Sequence, residues 1–154
     1  MKFRGHSLRN LDPKGRLLLP QDFRDRILAD SDQTDSLGRV VLTILDDCVV
    51  GFTATQWALV EAEMDKIKNP SKKLRNFRRK FLSGAEEAQI DAQGRIKLPQ
   101  HLREYGTLDH DVVVAGVGQY FEIWNKAEFD RMLDGQDLDD VSEELTAAGV
   151  DLPF

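Results

Sequence analysis

Apolar and polar positions alternate in short registers along this chain. In Arg16-Leu17-Leu18-Leu19, and again in Arg95-Ile96-Lys97-Leu98, apolar residues at every second position predict a half-buried strand with the arginine on the opposite face. Pro20 and Pro99 then open a short helix, where the missing proline N–H costs nothing. Phe23 with Ile27, and Leu102 with Tyr105 or Gly106, are its expected buried side. Residues 40–45 with 49–52, and 111–115 with 120–124, read as two hairpins turning at Asp46-Asp47 and at Gly116-Val117-Gly118-Gln119. After each hairpin, Thr53 with Gln56 and Asn125 with Glu128 have the N-cap and N3 spacing of a helix start. Trp57, Val60, Met64 and Ile67 keep helical spacing, Asn69-Pro70-Ser71 interrupts it, and Leu74, Phe77, Phe81 and Leu82 resume it as far as Gly84. That connector predicts a helix pair whose apolar stripe packs into the core.

These elements form a duplication. The stretch 11–24 is echoed by 90–103 at an offset of 79, with Asp12/Asp91, Gly15/Gly94, Arg16/Arg95, Leu19/Leu98, Pro20/Pro99, Gln21/Gln100 and Arg24/Arg103 identical. A weaker echo of 52–57 in 124–129 has an offset of 72, so the first copy carries about seven extra residues, assigned to a polar loop at 31–38. Each copy reads strand, turn, strand, short helix, hairpin, longer helix. One copy alone would leave an open sheet edge and a bare apolar face, so the two must pair. Asp12-Pro13-Lys14-Gly15 has aspartate, proline and glycine at the first, second and fourth positions of a type I turn.

Composition narrows the function classes. With 154 residues, 41% hydrophobic and 31% charged, the chain has an ordinary globular make-up. It contains no run of 18 apolar residues, and Met1-Lys2-Phe3-Arg4-Gly5 lacks the apolar stretch of a secretory signal, so a cytoplasmic protein with no membrane partner is expected. The single Cys48 excludes an intramolecular disulfide and a multi-cysteine metal site, while His6, His101 and His110 have no metal-ligand spacing. No Ser-His-Asp or Cys-His arrangement can be assigned, and Gly116-Val117-Gly118 lacks the third glycine of a dinucleotide loop. We therefore expect no enzyme, no catalytic residue, no metal, no cofactor and no small-molecule ligand.

The net charge of −6 conceals strong segregation. Residues 130–154 hold eight acids and one base, residues 1–28 seven bases and three acids, and residues 64–80 eight bases and one acid. The basic run fits a solvated helical face or a surface for a polyanion. The acidic tail fits a mobile extension, or an arm lying against the basic connector of the same or a neighbouring subunit in competition with such a polyanion.

The Asp-x-x-x-Arg pairs, Asp12 to Arg16 and Asp91 to Arg95, carry a resemblance supported by Lys2-Phe3-Arg4-Gly5, Gly84-Ala85-Glu86-Glu87 and Phe121-Glu122-Ile123-Trp124. Over about residues 3–133 the chain resembles the MraZ family of bacterial transcriptional regulators, built from two fused SpoVT-AbrB-like modules. The resemblance implies an α+β fold: a duplicated, pseudo-twofold swapped-hairpin β-barrel with peripheral helices. It also implies a ring-shaped homo-oligomer that binds tandem repeats in double-stranded DNA upstream of a division and cell-wall gene cluster, chiefly as a repressor on the nucleoid. The corresponding division is a first module at 1–57, a basic helix pair at 58–84, a second module at 85–133 and an acidic tail at 134–154. The chain departs from the family pattern at Ala92-Gln93, which replace the Pro13-Lys14 of the first copy, at the insertion near Ser31, and in the tail after Leu133.

On this reading Asp12, Gly15, Asp91 and Gly94 shape the turns. Arg16 and Arg95 meet a phosphate or fork onto a guanine edge. Their alternative is an ion pair with the neighbouring aspartate, worth up to about 1 kcal/mol at a surface. Lys14 and Gln93 supply further phosphate contacts, and Arg4 and Arg9 line the same face. A different class of function also fits: a protein-binding or assembly module like the antitoxin relatives of AbrB, without an operator of its own.

Overall fold

A computed structural model of the chain describes residues 2–30 and 37–154. The insertion expected at 31–38 thus falls almost entirely outside the described residues. The elements run β1 (His6–Asn10), β2 (Arg16–Leu18), α1 (Gln21–Ala29), β3 (Arg39–Leu45), β4 (Cys48–Thr53), α2 (Ala54–Met64) and α3 (Lys72–Ser83), followed by β5 (Glu86–Gln89), β6 (Arg95–Lys97), α4 (Gln100–Tyr105), β7 (Asp111–Gly116), β8 (Phe121–Asn125), α5 (Lys126–Leu133) and α6 (Leu138–Ala147).

The fold is α+β. Six strands form an antiparallel sheet in the order β1-β7-β8-β4-β3-β5, and β2 pairs with β6 in a second, two-stranded ladder. Exchanging the two copies leaves this order unchanged. The first strand of each copy leaves its own hairpin and pairs with the other's: β1 lies on β7, and β5 lies on β3. The two hairpins meet along β4 and β8. Each donated strand covers a hairpin edge that would otherwise be open, so only the short β1 and β5 remain at the sheet margins.

The sheet separates two apolar layers. Val40, Leu42, Val49, Val112, Val114, Phe121 and Ile123 face inward against Leu17 and Leu19, Ile96 and Leu98, Phe23 and Ile27 of α1, and Leu102 of α4. The β2–β6 ladder closes this inner core like the remaining wall of a barrel. The alternate residues Val41, Val50, Phe52, Val113, Ala115 and Trp124 face outward and are covered by Trp57 of α2, Phe81 of α3 and Phe129 of α5. Burial on both faces explains why the hairpin strands are almost continuously apolar, whereas β2 and β6 alternate. Phe3, Phe23 and Phe121 cluster at ring separations of 5.1, 5.4 and 5.7 Å in edge-on and tilted geometries.

The expected caps form: Thr53 Oγ1 accepts from the Gln56 N–H at 3.2 Å and Asn125 Oδ1 from the Glu128 N–H at 3.1 Å. Packing refines periodicity at two points. Of the two partners expected for Leu102, Gly106 is buried and Tyr105 is exposed; α4 ends at Tyr105, Leu108 joins the core beyond it, and the Tyr105 hydroxyl donates to the Asp46 carbonyl oxygen. The connector stripe is only partly core: Trp57 and Phe81 are buried, but Leu74 and Phe77 on the outer turns of α3 stay exposed. In the acidic tail, Asp137 and Asp140 form a reciprocal capping box that opens α6, none of whose residues is buried.

Candidate nucleic-acid interface

Both Asp-x-x-x-Arg segments fold as type I turns closed by a left-handed glycine. The Gly15 N–H donates to the Asp12 carbonyl at 2.9 Å, the Asp12 N–H donates to the Arg16 carbonyl at 3.0 Å, and Gly15 has φ of +79°. In the second copy Gly94 donates to Asp91 and Asp91 to Arg95, both at 2.9 Å, with φ of +83° at Gly94. A residue with a Cβ is strained in that region, which accounts for the glycine.

Each aspartate organises its turn through both oxygens. Asp12 Oδ1 accepts from the Lys14 and Arg16 N–H groups at 2.9 and 2.8 Å, and Oδ2 accepts from Arg16 Nε at 2.5 Å. Asp91 Oδ1 accepts from Gln93 and Arg95 N–H groups, both at 2.9 Å, and Oδ2 from Arg95 Nε at 3.0 Å. The backbone N–H of Arg16 leads in holding the Asp12 carboxyl below its usual range; partial burial opposes it, and the Arg16 guanidinium and Lys14 N–H reinforce it. Asp91 is lowered by the equivalent groups, led by the Arg95 N–H.

The ion pair that was the alternative to a DNA contact therefore exists, and it leaves the arginines usable. The bond to aspartate employs Nε. Among the described residues, the outer nitrogens of Arg16 have no protein acceptor. The side chains of Arg16 and Arg95 retain 33% and 27% exposure. The aspartate thus aims a guanidinium whose outer nitrogens are uncommitted in Arg16 and partly engaged in Arg95, where Nη2 donates to Gln93 Oε1 at 3.3 Å, a geometry suited to a phosphate or a guanine edge.

Pairing of β2 with β6 brings the two turns onto one surface. Arg16 lies opposite Lys97, Leu17 opposite Ile96 and Leu18 opposite Arg95. Leu17 and Ile96 point into the core, so the alternate residues Arg16, Leu18, Arg95 and Lys97 share the outer face. Strand spacing sets the α-carbons of Arg16 and Arg95 roughly 8 Å apart. Two further arginines arrive across the pseudo-twofold. A methyl group at Gly15 would sit 2.8 Å from Cζ of Arg103, whose Nε donates to the Leu98 carbonyl at 3.0 Å. The guanidinium of Arg24 lies still closer over Gly94, where a methyl group would collide with one of its outer nitrogens. Each turn is thus braced by an arginine from the other copy.

The face comprises Arg16, Leu18, Arg95 and Lys97, with Lys14 and Gln93 in its turns, and the half-buried Arg24 and Arg103 lie against the turn glycines. Sequence reasoning assigned no role to Lys97, Arg24 or Arg103. The signals were present: Lys97 has the strand parity of Arg95, and Arg24/Arg103 is one of the repeat identities. Arg4 and Arg9 lie elsewhere, along a groove of about 260 Å³ bordered by Pro20, Asp22 and Phe23, where Arg9 Nε donates to Ser7 Oγ at 3.2 Å.

Cys48 is buried, and burial foremost pushes its thiol up, which removes thiolate chemistry at neutral pH. Among the described residues, no group of three or more His, Cys, Asp or Glu could hold a metal ion, and no helix is long and apolar enough to cross a membrane.

Comparison with known proteins gives one consistent picture. The family described as "MraZ protein, putative antitoxin-like" matches residues 3–80 and 81–149. The second match passes Leu133 and takes in α6, so the resemblance extends further than the motifs alone indicated. A protein of Maridesulfovibrio salexigens named Transcriptional regulator MraZ is 53% identical over 154 residues, covering all of both chains. Proteins of the same name from Nitratidesulfovibrio vulgaris and Desulfosudis oleivorans are 47% identical over 154 residues, again all of both chains, and 34% identical over 142 residues, 92% of each.

Proposed function

The chain belongs to the MraZ family, and from that premise we propose that it is a DNA-binding transcriptional regulator which grips double-stranded DNA through the β2–β6 face. The supporting observation is the register that joins Arg16, Lys97 and Arg95 on one exposed surface. The turn aspartates fix the arginines in advance, so little side-chain entropy is lost on contact with a phosphate. Lys14 neutralises a phosphate beside the first turn, and Gln93 offers a neutral hydrogen bond beside the second. Arg4 and Arg9 extend the contact only where DNA follows the groove along the start of α1.

One face neutralises few phosphates, and the electrostatic part of affinity grows with their number. A ring-shaped homo-oligomer presents several such faces. DNA boxes repeated at about one helical turn would let them engage together at high effective concentration. By family resemblance the operator lies upstream of a division and cell-wall gene cluster, the effect is chiefly repression, and the protein resides in the cytoplasm on the nucleoid. Such a role needs no catalytic group, and we assign none.

An electrophoretic shift with one and with three tandem boxes, using the parent and Arg16→Ala, tests this reading. The parent should prefer three boxes strongly, and Arg16→Ala should lose the shift with an unchanged circular dichroism spectrum. An unaltered shift in that variant would refute the assigned face. A second reading, a protein-binding module of antitoxin type, draws on the exposed basic and apolar surface of α3. It predicts a stable complex with another protein and no operator.

A further inference from the structure

Two surfaces of opposite charge stand apart from the β2–β6 face. Helix α3 carries Lys72, Lys73, Arg75, Arg78, Arg79 and Lys80 and no acid. Among the described residues no carboxylate pairs with any of the six; Arg75 Nη1 donates to the Pro70 carbonyl at 2.7 Å and Arg79 Nη1 to Asn76 Oδ1 at 2.9 Å. Apolar groups lie among these cations. Leu74 and Phe77 are exposed, and an open groove of about 600 Å³ is lined by Arg75, Arg78, Arg79, Leu82 and Ser83.

The tail is its chemical complement. Residues 134–154 hold seven acids and no base. On α6, Leu138, Val141 and Leu145 fall on one helical stripe, none of them buried, and Val150, Leu152 and Phe154 are exposed beyond it, the last at 90%. Val141 and Leu145 are half-buried and Leu138 is exposed, so the stripe is incompletely covered, and with the exposed residues beyond it forms an apolar patch suited to association.

We propose that the acidic tail of one copy docks on the α3 groove of a second copy. The apolar stripe of α6 and the side chains of Leu152 and Phe154 cover Leu74, Phe77 and Leu82, while Asp139, Glu143 and Glu144 face Arg75, Arg78 and Arg79. This inference rests on the self-association proposed above and names the contact that carries it. Donor and acceptor are different surfaces, so each copy offers a tail and receives one. Such head-to-tail contacts propagate and close into a ring when the rotation permits, whereas a self-complementary patch would stop at a dimer.

Two observations favour a protein occupant over DNA. Helix α3 packs on the face of the six-stranded sheet opposite the β2–β6 ladder, so it cannot join the turns on one duplex segment. Phosphates also make no use of exposed leucine and phenylalanine, whereas an acidic amphipathic helix uses both features.

Charge exchange in the full-length chain tests the contact. One variant carries Asp139→Lys, Glu143→Lys and Glu144→Lys, leaving the capping pair intact; the second carries Arg75→Glu, Arg78→Glu and Arg79→Glu; the third combines both sets. Light scattering at low salt should show a parent oligomer, a fall to monomer or dimer in each of the first two with unchanged circular dichroism, and recovery of the parent mass in the third. Parent-like mass in either of the first two variants would overturn the contact while leaving self-association standing. Failure of the combined variant to recover would overturn the direct pairing. A monomeric parent would remove both this contact and the self-association behind it. An α3 variant of parent mass that no longer shifts DNA would assign the helix to DNA and overturn the proposal.

Discussion

In the first turn Lys14 stands between Asp12 and Gly15, and among the described residues the outer nitrogens of Arg16 meet no protein acceptor. In the second, Gln93 takes the place of the lysine, and its Oε1 accepts from Arg95 Nη2 at 3.3 Å. The bracing arginines differ as well. Arg103 Nε reaches the Leu98 carbonyl above the first turn, while Arg24 Nε above the second is buried with no hydrogen-bond partner among the described residues. The backbones of the two turns are otherwise superposable in their bonding. Duplication has kept the scaffold that aims the arginine and changed the charge around it. On the function proposed above, the first turn would dominate contact with phosphate and the second would contribute a more restrained guanidinium.

The largest test of that asymmetry is arginine removal. Arg16→Ala should cost on the order of 1–3 kcal/mol for each engaged face, and Arg95→Ala distinctly less. Fluorescence anisotropy at fixed salt on a single operator box would read both, and equal losses would erase the distinction.

Next in size is the glycine scaffold. Forcing a Cβ into the left-handed region costs about 1–2 kcal/mol, and in each turn the methyl group also meets the bracing guanidinium. Gly15→Ala and Gly94→Ala should both lower the free energy of urea unfolding. Gly94→Ala should do so more, because Arg24 lies the closer of the two and must be displaced. Stability unchanged in both would show that the turns are not held as described.

Smaller again is the exchange of Lys14 and Gln93. Gln93→Lys should steepen the slope of log affinity against log salt by about 0.9 if one more phosphate is neutralised, and Lys14→Gln should flatten it by the same amount. A parent slope near zero would exclude phosphate-led binding altogether.

Acid should produce the smallest effect, and the same one in both turns. Asp12 and Asp91 each have a carboxyl lowered in the folded chain. The stabilisation they add is present above the ordinary aspartate range and is lost as pH falls below it through the folded values. Carbon-detected titration of the two carboxyls should give midpoints below 3.8 for both; ordinary midpoints would mean that the turn bonds are not formed in solution.

Much of this was readable in the residues because it is local. The turn at Asp12–Gly15, the caps at Thr53 and Asn125 and the break at Asn69-Pro70-Ser71 depend on partners three or four positions away. Strand parity likewise showed that Leu17 and Ile96 go inward and the arginines outward. Helical spacing left Tyr105 and Gly106 open as the buried partner of Leu102 and gave no warning that Leu74 and Phe77 stay exposed, since a helical stripe states which side is apolar and not how much of it finds a partner.

The sequence determined that there are two copies, what each contains and which residues crown the turns, because repeated identities and short-range bonding are written along the chain itself. Tertiary structure alone decided that the copies exchange their first strands, that β2 and β6 meet in the register joining Arg16, Lys97 and Arg95, and that Arg24 and Arg103 cross to the opposite turns. Those contacts link residues from 44 positions apart (Leu42 with Glu86) to 109 (His6 with Ala115), and no periodicity reports them: they follow from the need of each exposed hairpin edge and each bare apolar face to be covered by the other half.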